Sequence, residues 1–132
     1  MAFETARSHI EDGSISFMFV WIDMLEGDNA TSAADAAQAF PVLPNITHFH
    51  DPDRVVGKEV ARRLGAPDRT AWDFYLLYAK GLAWTDHPPA PLRWFHQLRD
   101  DPWAGPGHYR WGQGLRPAIR DALDVALGFR AA

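Results

Sequence analysis

Apolar positions give the first outline of the chain. Phe3, Ala6 and Ile10 recur at helical spacing over residues 2–12 and predict a short amphipathic helix that Gly13 stops. Ile15-Ser-Phe-Met-Phe-Val-Trp-Ile22 then runs almost without a polar break, rich in aromatic and branched side chains, and ends at Asp23. Such a run predicts a strand covered on both faces, at the centre of a sheet flanked by helices. Glu26-Gly-Asp-Asn29 reads as a loop. Thr31 or Ser32 then caps an alanine-rich helix reaching about Phe40, which Pro41 and Pro44 end.

Asn45-Ile-Thr-His-Phe-His50 alternates as a short strand, with Ile46, His48 and His50 on one face. Asp51-Pro52 predicts a helix start, because a carboxylate accepts from the free amides of a first turn and proline has no amide to leave unpaired. Val56, Val60 and Leu64 form the apolar stripe of that helix, and Gly65 ends it. Ala71-Trp-Asp-Phe-Tyr-Leu-Leu-Tyr78 predicts a second doubly covered strand. Ala79-Lys-Gly81 turns it into a hairpin partner at Leu82–Trp84. Pro88, Pro89 and Pro91 lead into a short helix over Leu92–Leu98. Residues 99–114 form a loop pinned by Trp103, Tyr109 and Trp111, and Leu115, Ile119, Leu123 and Leu127 mark a closing helix. The order predicts an α/β architecture: a partly parallel sheet closed by an antiparallel hairpin.

Composition narrows the chemistry. The 132 residues are 47% hydrophobic and 23% charged, which predicts one domain with an ordinary core. There is no cysteine, so this chain supplies no disulfide, thiolate ligand, thiol nucleophile or dithiol. Residues 1–51 hold one base and eight acids, residues 52–132 twelve bases and nine acids, a balance of −7 against +3 that sums to the net −4. That acidic total, without a basic stripe, argues against nucleic acid as a partner. The apolar run 15–22 is too short to span a bilayer. Met1-Ala-Phe-Glu4 lacks the basic and apolar regions of a secretory leader, so a cytoplasmic protein is expected.

Several blocks resemble bacterial thioredoxin-like proteins. These are Phe19-Val-Trp-Ile22, His48-Phe-His-Asp-Pro-Asp-Arg-Val-Val-Gly57, Ala71-Trp-Asp-Phe-Tyr-Leu-Leu-Tyr78 and Gly81-Leu-Ala-Trp84, followed by Pro88-Pro-Ala-Pro91 and Trp94-Phe-His-Gln-Leu98. The likeness runs over about residues 15–98 of a single domain, 1–132. It implies a truncated thioredoxin-like sheet with mixed parallel strands, a C-terminal hairpin and flanking helices, lacking the family's first strand and its CxxC motif. Ala71 and Trp72 stand where the family places a cis-proline, and Pro67 lies too far upstream to replace it. The resemblance therefore implies a redox-inactive binding or assembly module. The alternative is the C-terminal portion of a thiol-disulfide oxidoreductase whose CxxC lies upstream of this start. The missing strand leaves an open sheet edge, from which self-association as a homodimer is expected, with a protein partner as the other occupant.

Two clusters carry the candidate chemistry. His48 and His50 project from one strand face, and with Asp51 and His96 they make an N/O ligand set for a divalent metal. The competing reading is that Asp51 caps a helix and both histidines sit at a sheet end. Asp73 is the one charged residue in its apolar strand; a buried carboxylate there has a raised pKa, which with Trp72, Trp84 and Trp94 marks a ligand-binding candidate. The competing reading is a structural acid held by Arg69, a backbone amide or Trp72. No catalytic constellation and no organic cofactor motif is recognisable in the sequence.

Overall fold

The computed structural model describes residues 1–131. The chain is mixed α/β. Four helices, α1 (Ala2–Glu11), α2 (Ala30–Ala37), α3 (Val55–Arg63) and α4 (Leu115–Ala126), accompany four strands, β1 (Phe17–Ile22), β2 (Ile46–Asp51), β3 (Phe74–Leu77) and β4 (Arg93–His96). The strands form two separate pairs, β1 with β2 in parallel and β3 with β4 antiparallel, in place of the single mixed sheet expected from the sequence. The chain divides into two units. One comprises Met1–Ser8 and the chain from Asp73 onward, the other His9–Trp72.

In the His9–Trp72 unit, a turn at Gly13 (φ +79°) ends α1, and the Asn45 side-chain amide donates to the carbonyls of Ile10 and Ile15, both at 2.7 Å. Those two bonds fasten the entry to β1 beside the entry to β2. The cap of α2 is Asn29, upstream of the expected Thr31 or Ser32: its carboxamide oxygen accepts from the Thr31 and Ser32 amides, while the Ser32 hydroxyl accepts from the Asn29 amide. A reciprocal box satisfies an amide at each end of its span, which a cap at Thr31 would forgo. Helix α3 buries Gly57, Val60 and Ala61. A Cβ at Gly57 would lie 2.7 Å from Thr70 Cγ2 and 2.8 Å from the Ala71 carbonyl, so only glycine allows the following segment to lie this close.

In the other unit, Leu115, Ile119, Ala122 and Leu123 form the buried face of α4, and Phe3, Ala6, Phe95 and Ala104 are buried as well. Here the structure corrects two sequence expectations. Residues 92–98 contain strand β4, not a helix, and Leu82–Trp84 forms no strand; Leu82 and Trp84 are exposed. The partner of β3 is β4, registered Phe74↔His96 through Leu77↔Arg93. A run this short has no period to read, so the cross-strand partner decides its form.

Candidate functional site

The parallel pair carries the densest group of candidate residues. Alternation puts Phe17, Phe19 and Trp21 on one face of β1, and the register sets them beside Ile46, His48 and His50 of β2. The His48 ring stacks on Phe19 at 4.6 Å between centroids, and Phe40, just beyond α2, closes on Phe19 at 4.2 Å. The Trp21 indole N–H donates to His48 Nδ1 at 3.2 Å, which makes Nδ1 the acceptor and leaves the ring proton on Nε2.

At the carboxyl ends of the strands three side chains converge. His50 Nε2 lies 2.8 Å from Asp23 Oδ1, and Arg54 Nε donates to the Asp23 carbonyl at 2.7 Å. Arg54 holds φ +59°, a left-handed conformation costing on the order of 1 kcal/mol in a non-glycine residue. Its own amide bonds the Asp51 carbonyl. Asp51 is buried, and its carboxylate accepts from the amides of Val55, Val56 and Gly57 at 2.7, 2.8 and 3.3 Å. Those are amides that the start of a helix would otherwise leave unpaired. Between β1 and α2, the Asp28 carboxylate accepts from the amides of Leu25 and Met24, which hold its carboxyl below the usual range.

The hydrogen-bond phase of β2 identifies its open side. The Phe17 amide donates to the Asn45 carbonyl and the Asp23 amide to the Asp51 carbonyl. In a parallel ladder alternate residues face the partner, so the backbone groups of Thr47 and Phe49 point at β1. Those of Ile46, His48 and His50 therefore point away from it. The Ile46 amide bonds the Leu43 carbonyl; among the described residues no turn or loop carbonyl accepts from the amides of His48 and His50. Beside this edge Phe49 and, on β1, Met18 share the opposite face of the sheet and are exposed.

The metal candidates are already engaged. His48 Nδ1 accepts from Trp21, His50 faces Asp23, and Asp51 serves three amides. His96 lies in the other unit, 1% exposed, with Nε2 2.9 Å from the Gly105 carbonyl and Nδ1 accepting from the Leu98 amide. Among the described residues no group of three or more His, Asp or Glu is placed to hold a metal ion.

Asp73 also departs from expectation. It is exposed, precedes β3 and holds φ +57°, and its carboxylate accepts from the Gln97 amide at 3.1 Å. That left-handed turn carries Asp73 out of the strand and into water, so the buried carboxylate read from the sequence does not exist. Trp94 is half-buried in a stack of near-parallel rings, with His108 at 3.6 Å and Phe74 at 5.6 Å, and Trp103 beyond Phe74 at 5.2 Å. Trp72 is half-buried, and Trp84 is exposed in the loop before β4. Sequence reasoning missed Asp23 and Arg54. Asp23 was visible only as the end of an apolar run, and nothing in the sequence marks Arg54 as left-handed.

Among the described residues no helix is long and apolar enough to cross a membrane. Comparison with protein-family models, with curated proteins and with solved structures finds no match to this chain.

Proposed function

We propose that this chain is a non-redox, thioredoxin-like binding and assembly module that pairs with a second copy of itself along the outer edge of β2. The order of elements supports the thioredoxin-like reading: a parallel β-α-β unit, a connecting helix, an antiparallel strand pair and a closing helix. The observation that carries the assembly reading is the row of outward backbone groups at Ile46, His48 and His50.

Natural edges are guarded by lysine, proline or a bulge, and β2 has none of these. Its one acid, Asp51, is buried and turned to α3, so a like copy meets no fixed charge. Antiparallel pairing about His48 sets each Ile46 opposite the other copy's His50 and each Thr47 opposite its Phe49. About four backbone bonds then form across a two-fold axis.

Sedimentation equilibrium tests this. The expected result is a reversible dimer in the tens of micromolar. His48→Pro removes an outward amide without touching the β1 ladder, so the expected product is a monomer with unchanged far-ultraviolet circular dichroism. His48→Val restores the amide and the dimer. A wild-type chain that stays monomeric over this range overturns the proposal, and so does a His48→Pro chain that folds and still dimerises.

A further inference from the structure

Two open clefts of the unit containing α4 differ in electrostatic character. The first, about 320 Å³, has Arg99 on its wall together with Asp100, Asp101 and Tyr109. Acids share its wall with the cation, and the Tyr109 phenol and the Asp100 carboxylate both favour the charged form of Arg99. The second, about 440 Å³, is lined by Met1, Gln113, Arg116, Pro117 and Arg120. No acid lines it. Arg116 and Arg120 sit four residues apart on α4, so both guanidinium groups rise from one helix face, with side-chain origins roughly 6 Å apart. Among the described residues neither has a carboxylate within ion-pair distance. On the same helix Asp121 is paired with Arg130.

Two unneutralised guanidinium groups beside a primary amide form an array of donors with no acceptor of fixed charge. This arises in a chain whose acids outnumber its bases by 17 to 13. Planar N–H forks match tetrahedral oxyanions, which accept at several oxygens at once. A cleft of this size also lies in the range that admits a small organic group beyond the anion.

We propose that the cleft between Gln113 and Arg120 is a binding site for the phosphate group of a small organic phosphate, with Arg116 and Arg120 as its charged ligands and the Gln113 amide as a further donor. The site is independent of the β2 edge and of any pairing between copies.

The test is an amide-resolved NMR titration of the full chain at constant ionic strength, with inorganic phosphate and glycerol phosphate as probes and acetate as the carboxylate control. The expected result is saturable shifts confined to residues near Gln113–Arg120 for both phosphates. Glycerol phosphate should bind at least as tightly as inorganic phosphate, and acetate should produce no saturable shift. The double variant Arg116→Gln, Arg120→Gln keeps good helix formers on an exposed face, so its spectrum should otherwise match the wild type. Its phosphate affinity should fall about tenfold or more. Linear, non-saturating shifts in the wild type, equal binding of acetate, or undiminished phosphate binding by the double variant would each overturn the proposal.

Discussion

Strands β2 and β4 each place histidine next to an aromatic residue, Ile46-Thr-His-Phe-His-Asp51 and Arg93-Trp-Phe-His96, yet they end in opposite states. Beyond β4 the chain folds back. Tyr109 bridges to His96, the Arg110 amide bonds the His96 carbonyl, and the Gly105 carbonyl meets the His96 ring, which is 1% exposed. Among the described residues nothing comparable covers β2: His50 and Phe49 remain exposed and the amides of His48 and His50 face outward. Similar strand chemistry thus becomes core where a following loop satisfies the outer edge, and stays open to solvent where none does. Coverage, more than composition, separates the two histidine clusters.

The largest expected effect tests the covered strand. His96→Ala removes a buried ring and leaves the Leu98 amide and the Gly105 carbonyl without their partners. A loss of about 3 kcal/mol in chemical denaturation follows from the cavity and the orphaned groups together. The matching change on the open strand, His50→Ala, breaks a partly exposed contact to Asp23 and should cost only about 0.5 kcal/mol. Equal costs at the two positions would remove the distinction between them.

Between these extremes lies Asp51, which ties the end of the open strand to the start of α3. Asp51→Ala takes away the acceptor of the Val55, Val56 and Gly57 amides and should cost about 2 kcal/mol, with Asp51→Asn recovering part of it. Urea melts of the three proteins check this, and amide exchange should quicken first at the start of α3. If exchange quickens equally along α4, the effect is global and Asp51 is not a local anchor.

The sequence disclosed these features unevenly, for physical reasons. Helices α1, α3 and α4 were legible because their apolar stripes recur within the element. The shared face of His48 and His50 followed from alternation, and Asp51 as a cap from Asp-Pro. The meeting of His50 with Asp23 was not legible, since it depends on the register Trp21↔His50 and Ile22↔Asp51, which no local pattern sets. Strand β4 was hidden by its brevity, and the hairpin partner was misplaced to Leu82–Trp84 because the nearest apolar run after a glycine turn is not always the one that pairs. The left-handed turn at Asp73 has the same origin. An aspartate amid aromatic residues reads as buried until a single dihedral angle turns it out to solvent.

That turn sets up the most specific expected effect. Gln97 joins Asp73 to Tyr75, donating to the Asp73 carboxylate at 3.1 Å and to the Tyr75 oxygen at 2.7 Å. Burial of the Tyr75 phenol opposes the phenolate and raises its pKa above the ordinary 10.0; the Asp73 charge pushes the same way, and the Gln97 amide works against both. A folded-state pKa above the unfolded one means that the native chain holds this proton more tightly. Its contribution to stability is complete below pH 10 and is lost as pH rises from there through the folded value. An ultraviolet difference titration should therefore show one phenol ionising late, and Tyr75→Phe should delete that step while costing about 1 kcal/mol at neutral pH for the lost Gln97 bond. Asp73→Asn removes the carboxylate's push and should bring the step to lower pH without abolishing it. A Tyr75 that titrates at or below the ordinary phenol range would show that the Asp73 side of β3 is as open to water as the edge of β2.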